Sequence, residues 1–196
     1  MSRYDQHTAL VVVDLQNDFA DAAGSLAVVG GEDVIASVNR EVHEATEAGA
    51  LVVATQDWHP ESTPHFAKDG GVWPVHCVGG TWGAALAPGF ELPADAPRVR
   101  KGTNGEDGYS GFTMRDPETA KETSTELEAL LRRRGIERVV VAGLATDYCV
   151  LATALDAVRL GFSVGLVADG VAAVNLQPDD GDRAMSEMAE AGVVID

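Results

Sequence analysis

Thr8-Ala-Leu-Val-Val-Val13, followed at once by Asp14, decides the fold of this chain. The run is continuously apolar and rich in β-branched residues, the pattern of a strand covered on both faces in a parallel sheet. Outward from it, helical and strand patterns alternate. Val34, Ile35, Val38 and Val42 recur at helical spacing between Glu32 and Ala48, with Gly49 as a stop. Ala50 to Thr55 is a second buried strand, and Arg98 to Arg100 a short third that returns Lys101 to the sheet. Asp116-Pro117 predicts a helix start, running through Leu127, Leu130 and Leu131 to Arg132-Arg133-Arg134 and Gly135. Arg138 to Leu144 reads as a strand, Tyr148 to Leu160 as a helix and Ser163 to Ala168 as a strand. A last helix from about Asp179 leads into Val193-Val194-Ile195. This βα alternation predicts one α/β domain over residues 1–196, a doubly wound, mostly parallel six-stranded sheet with helices on both faces.

The 196 residues are enough for one domain with a substantial core. A net charge of -17 argues against nucleic-acid and anionic-membrane partners, which would require a basic footprint. The polar opening, Met1-Ser2-Arg3-Tyr4-Asp5-Gln6-His7, is unlike a signal peptide, and the apolar run after it is too short to span a bilayer. The expectation is a cytoplasmic protein. Cys77 and Cys149 cannot make a disulfide framework.

Ligands bind outside the carboxyl ends of strands in open parallel sheets. Asp14, Lys101 and Cys149 each follow a strand candidate. Taken singly they are ordinary: a cap, a solvated lysine, a core thiol. Cys149, however, follows a glycine-ended strand in Gly143-Leu-Ala-Thr-Asp-Tyr-Cys149-Val, and falls in the first turn of a predicted helix. Free amides and the positive helix end there are expected to lower a thiol pKa and to hold an oxyanion. A lysine would stabilise the thiolate, and a carboxylate would move protons between thiol, leaving amine and water. The stretch from Asp57 to Pro97 breaks the rhythm of the chain, and long aperiodic segments inside compact domains are usually functional. It carries Asp57-Trp-His59, His65 and His76, three of the chain's five histidines. A mixed carboxylate and imidazole set suits zinc, iron or manganese and does not choose among them.

Seven short motifs, in order, resemble the nicotinamidase/pyrazinamidase branch of the isochorismatase-like hydrolases. They are Val11-Val-Val-Asp14-Leu-Gln-Asn-Asp-Phe19, Gly24-Ser-Leu26, Thr55-Gln-Asp57-Trp-His59-Pro60, Trp73-Pro-Val-His76-Cys-Val-Gly-Gly-Thr81, Arg100-Lys101-Gly102, Tyr109-Ser-Gly-Phe112 and Gly143 to Val150. The resemblance implies Cys149 as nucleophile, Lys101 as its support and Asp14 as general base and acid. It implies Asp57, His59 and His76 as ligands of one divalent metal, zinc ahead of iron or manganese, with His65 as a further candidate. It also implies an oxyanion hole from the backbone amides of Ala145 and Cys149 beside a cis Leu144–Ala145 bond, and Phe19, Trp73 and Tyr109 in the pocket. The implied reaction is hydrolysis of nicotinamide, and of pyrazinamide, in NAD salvage, with a homo-oligomer left open. The acidic, glycine-rich segment from Gly102 to Gly108 departs from the family and predicts a remodelled pocket lip.

Three rivals differ in observable ways. A relative acting on isochorismate, a carbamoyl compound or a ureido acid would not need the Asp-x-His…His set. A dianionic substrate would want arginines, yet the aperiodic stretch and its edge offer only Lys68 and Arg98. A nucleotide-binding module would need a glycine-rich first βα turn, whereas Asp14-Leu-Gln-Asn-Asp18 would repel phosphate. A metallohydrolase using metal-activated water would leave Cys149 and Lys101 idle.

Overall fold

The computed structural model describes residues 3–196; Met1 and Ser2, included above in the polar opening and in the domain, lie outside them. Six strands form one parallel sheet in the order β3-β2-β1-β6-β7-β8. They are β1 (Thr8–Val13), β2 (Leu51–Asp57), β3 (Arg98–Lys101), β6 (Arg138–Leu144), β7 (Ser163–Ala172) and β8 (Val194–Ile195). Every residue of β1 is buried, as its unbroken apolar run requires. Leu10 and Val12 face one layer, with α2 (Val34–Glu47) laying Val34, Val38, Val42 and Ala45 over them. Ala9, Val11 and Val13 face the other layer, where α3 (Leu127–Arg133), α4 (Leu151–Arg159) and α5 (Asp180–Glu190) supply Leu127, Leu131, Ala154, Ala157 and Met188. Each fully buried Val or Leu of this kind contributes roughly 1.5–3 kcal/mol. The helices therefore lie on both faces, and the doubly wound reading holds. Among the described residues no helix is long and apolar enough to cross a membrane.

The chain runs outward from β1 to β2 and β3, then returns to place β6 on the other side of β1. That reversal opens a crevice at the carboxyl ends of β1 and β6. Gly143 makes the close approach there: its φ is +111°, and a Cβ would meet the Val13 carbonyl oxygen at 2.1 Å.

The predicted helix from Asp116 is not formed over its first part. Thr113–Arg115 (β4) and Glu122–Ser124 (β5) make an antiparallel hairpin, and the helix is confined to Leu127–Arg133. Asp116 Oδ1 accepts from the amides of Glu118 and Thr119, and Ala120 takes a positive φ of 55°. The carboxylate thus caps a turn where the motif reads as a helix N-cap, and Glu122-Thr-Ser124 pairs as strand. Two other boundaries differ. Strand β7 continues past Ala168 to Ala172, through Asp169, whose exposed carboxylate pairs with Arg40. The segment around Cys149 is a π-helical turn, Thr146–Val150, before α4 begins. A short helix α1 (Asn17–Ala20) follows β1.

The aperiodic stretch is ordered by side chains of the first βα turn. Gln16 donates from Nε2 to the carbonyls of Asp57 and Ala84, while its Oε1 accepts from the Asp57 amide. Asn17 Nδ2 donates to the Trp82 carbonyl, and Asp18 Oδ2 accepts from the Cys77 amide. A loop without its own ladder needs such partners for its buried backbone.

Candidate active site

Strand ends bring four polar side chains together. Asp14 follows β1 with a φ of +45° and is fully buried. Its Oδ1 accepts from Thr55 Oγ1 at 2.6 Å, and its Oδ2 lies 2.9 Å from Lys101 Nζ. Lys101 ends β3, is 1% exposed, and its ammonium also donates to Asp57 Oδ1 at 2.7 Å and reaches Cys149 Sγ at 3.6 Å. One ammonium therefore bridges two carboxylates and a thiol.

Burial alone would lower the Lys101 pKa, but Asp14 and Asp57 outweigh it and raise the ammonium well above its usual range. Burial opposes ionisation of Asp57 as well, yet Lys101 and the two neighbouring imidazoles hold its carboxyl well below the ordinary range. Asp14 goes the other way: burial, helped by Asp57, raises it in spite of Lys101. Burial also pushes the Cys149 thiol well above its usual value, with Lys101 opposing and Asp14 and Asp57 adding. The helix-end argument anticipated a lowered thiol pKa. Desolvation and two carboxylates win here, so the resting group is a thiol and needs a base. A buried carboxyl with a raised pKa is a stronger base than an exposed one.

The histidines form a second cluster beyond Asp57. The ligand atoms of His59, His65 and His76 lie within 4.8 Å of one another. Asp57 Oδ2 is 3.7 Å from His59 Nε2 and 3.8 Å from His76 Nε2. These gaps are too long for hydrogen bonds. They match the spacing of donor atoms around one ion with bonds of about 2.1 Å. His76 Nδ1 lies 2.7 Å from the Pro74 carbonyl, which can only accept, so the Nε2 lone pair is left for a ligand role. Both His59 ring nitrogens are buried without a hydrogen-bond partner among the described residues, and a bound ion would satisfy one of them. His65 is half-buried, stacks on His59 with ring centroids 4.9 Å apart, and has its pKa pushed down to about 4 by burial and then by His59 and His76. It is neutral at pH 7. The donor set fits a divalent metal ion.

Gly102 opens the acidic lip with a φ of +80°, and a Cβ there would sit 2.7 Å from the His59 ring. Gly102, the last residue of the Arg100-Lys101-Gly102 motif, thus makes a contact that only glycine allows.

A cavity of about 300 Å³ joins the two clusters. Cys149, Ala145, Asp57, His65 and His76 line it, whereas Asp14 and Lys101 sit behind Cys149. The Leu144–Ala145 peptide is cis. Phe19, Trp73 and Tyr109 all line the cavity, with Trp73 Nε1 donating to Tyr109 Oη at 3.1 Å. Tyr148, unassigned by sequence reasoning, meets both rings edge-on at centroid distances of 5.2 and 5.3 Å. Its position directly before Cys149 was the available signal. Leu26 and Val28 on one side, and Val174 and Leu176 on the other, complete the apolar walls. No periodic pattern marks them, because they lie in loops.

A family model described as the isochorismatase domain matches residues 8–196. The chain is 39% identical to a nicotinamidase of Escherichia coli, over 95% of this chain and 93% of that one. A pyrazinamidase of Pyrococcus horikoshii in complex with zinc superposes with a TM-score of 0.86 at 43% identity, covering 97% and 98% of the two chains. A protein of L. infantum in complex with nicotinate superposes with a TM-score of 0.85 at 39% identity, covering 97% and 92%. With a match over almost its whole length and a parallel sheet that brings Asp14, Lys101 and Cys149 to one crevice, the chain belongs to the isochorismatase-domain family.

Proposed function

We propose that this chain is an amidohydrolase that converts nicotinamide to nicotinate and ammonia, and accepts pyrazinamide, as a step in NAD salvage. The observation that carries the reading is the junction of two clusters across one aromatic-walled cavity. A thiol 3.6 Å from a buried ammonium shares one cavity with a carboxylate and imidazole set suited to a metal ion, and such an ion would take a ring nitrogen. The E. coli relative is a nicotinamidase, the P. horikoshii neighbour holds zinc and the L. infantum neighbour holds nicotinate, which supports the same substrate and metal here.

In this reading Asp14 takes the Cys149 proton, and Lys101 steadies the thiolate as it attacks the carboxamide carbon. The backbone amides of Ala145 and Cys149 receive the oxyanion. Asp14 returns the proton to the departing amine, since ammonia leaves poorly unless protonated. A water molecule, deprotonated by Asp14, then opens the Cys149 thioester and releases the acid. Asp57, His59 and His76, with His65 as a further ligand, would hold a zinc ion that supplies a Lewis-acid contact to the pyridine nitrogen, a role in orientation. Trp73, Tyr109 and Phe19 would flank the ring.

The test is ammonia release from nicotinamide by purified protein, with elemental analysis of bound metal. Cys149→Ala is expected to abolish turnover while metal content stays near that of the parent. A covalent acyl adduct found by mass spectrometry on Cys77 would reassign the nucleophile.

A further inference from the structure

We infer that Asp147 is a positioning residue that docks one wall of the cavity onto the nucleophile turn and so sets the grip on the substrate ring; the inference rests on the functional reading above. Asp147 lies two residues before Cys149, in the same π-helical turn. Its Oδ1 accepts from the Val174 amide at 2.9 Å and its Oδ2 from the Asn175 amide at 2.8 Å. Both oxygens of one carboxylate are thus committed to the backbone of the loop after β7. Val174 and Leu176, on either side of Asn175, line the cavity. Asn175 holds a positive φ of 52°, and its Oδ1 accepts from the Gly181 amide at 2.8 Å at the start of α5. The wall therefore hangs between two side-chain clamps, one on the nucleophile turn and one on a helix.

Charge-assisted bonds to backbone amides are among the stronger hydrogen bonds and fix register as well as energy. Leu176 is 60% exposed although it lines the cavity, so packing alone holds it weakly. Asp147 does not line the cavity and acts through Val174 and Leu176. Its loss frees the wall to move away from the ring while Asp14, Lys101 and Cys149 keep their places. The consequence is lost binding rather than slower chemistry.

Steady-state ammonia release by Asp147→Ala and Asp147→Asn provides the kinetic test. The asparagine keeps one acceptor and the shape, so it stands in if the alanine variant folds poorly. The expected result is a KM for nicotinamide raised about tenfold by alanine and about threefold by asparagine, with kcat within about twofold, the signature of binding lost equally from ground and transition states. Leu176→Ala should also raise KM, and the double variant should fall short of the product of the single effects, because the wall is already undocked. Iodoacetamide alkylation of Cys149 should be unchanged. A fall in kcat at constant KM, or a changed alkylation rate, would show that Asp147 acts on the thiol and would overturn the inference. Fully multiplicative effects in the double variant would overturn it too. Hydrogen exchange at the Val174 and Asn175 amides needs no substrate: it should speed up in Asp147→Ala, and unchanged exchange would refute the docking. A parent protein that releases no ammonia from nicotinamide would instead defeat the functional reading, with the exchange result still deciding the role of Asp147.

Discussion

Replacing Asp14 with asparagine keeps the side chain's shape and its acceptor for Thr55 Oγ1 but removes one buried negative charge. The carboxylate oxygen of Asp14 and the sulfur of Cys149 lie within 4.8 Å of each other. At an effective permittivity of about 20, that separation corresponds to roughly 3 kcal/mol of repulsion between carboxylate and thiolate. Its removal lowers the thiol pKa. The thiolate population at neutral pH then rises about a hundredfold. Nucleophilicity falls with pKa at a Brønsted slope of about 0.4–0.5, so alkylation by iodoacetamide should accelerate about tenfold. Turnover should move the opposite way. Asparagine cannot carry protons from thiol to amine, and losing an acid–base group costs roughly a hundredfold or more. Alkylation kinetics and ammonia release, measured on the same preparation, make the comparison. Parallel losses in both would refute the charge argument, since Asp14 would then be raising the thiolate population. Undiminished turnover would refute its role as proton carrier.

Lys101→Met leaves two buried carboxylates without their shared ammonium and should cost about 3–5 kcal/mol in urea unfolding, partly recovered in Lys101→Met/Asp14→Asn; a loss below about 1 kcal/mol would mean that the cluster is solvated. Metal removal by a chelator, or His76→Ala, should abolish most turnover of nicotinamide and shrink its advantage over benzamide, which lacks the ring nitrogen. Equal rates on the two amides by metal-loaded parent protein would rule out metal orientation of the ring. Gly102→Ala should weaken metal affinity, read by competition with a chromogenic chelator, because its Cβ would press on His59; unchanged affinity would show that the ring can yield.

The fold was legible wherever burial left a pattern. The unbroken apolar run of β1 and the spaced valines of α2 fixed a covered parallel sheet, and the polar residues after strand ends pointed to the crevice. Strand ends pointed to Asp14, Lys101 and Cys149 and the aperiodic stretch to the histidines, and the order of the motifs assigned them roles. Where a local signal has two uses, the sequence misled: Asp116 caps a turn as readily as a helix, and the neighbouring hairpin decided which. Whether a thiol is acidic depends on what surrounds it. The lone helix-end argument gave one sign, and burial, with the approach of Asp14 and Asp57 from separate strands, gave the other. The walls around Val174 and Leu176 carry no period, because loop residues are placed by contacts such as those of Asp147 and not by their own backbone repeat. The sequence by itself determined which residues follow the strands and which functional groups they offer, since both follow from local pattern. Only the tertiary structure decided the charge balance among them and the shape of the cavity, because both arise from groups distant in the chain that meet when strands β1, β2, β3 and β6 align.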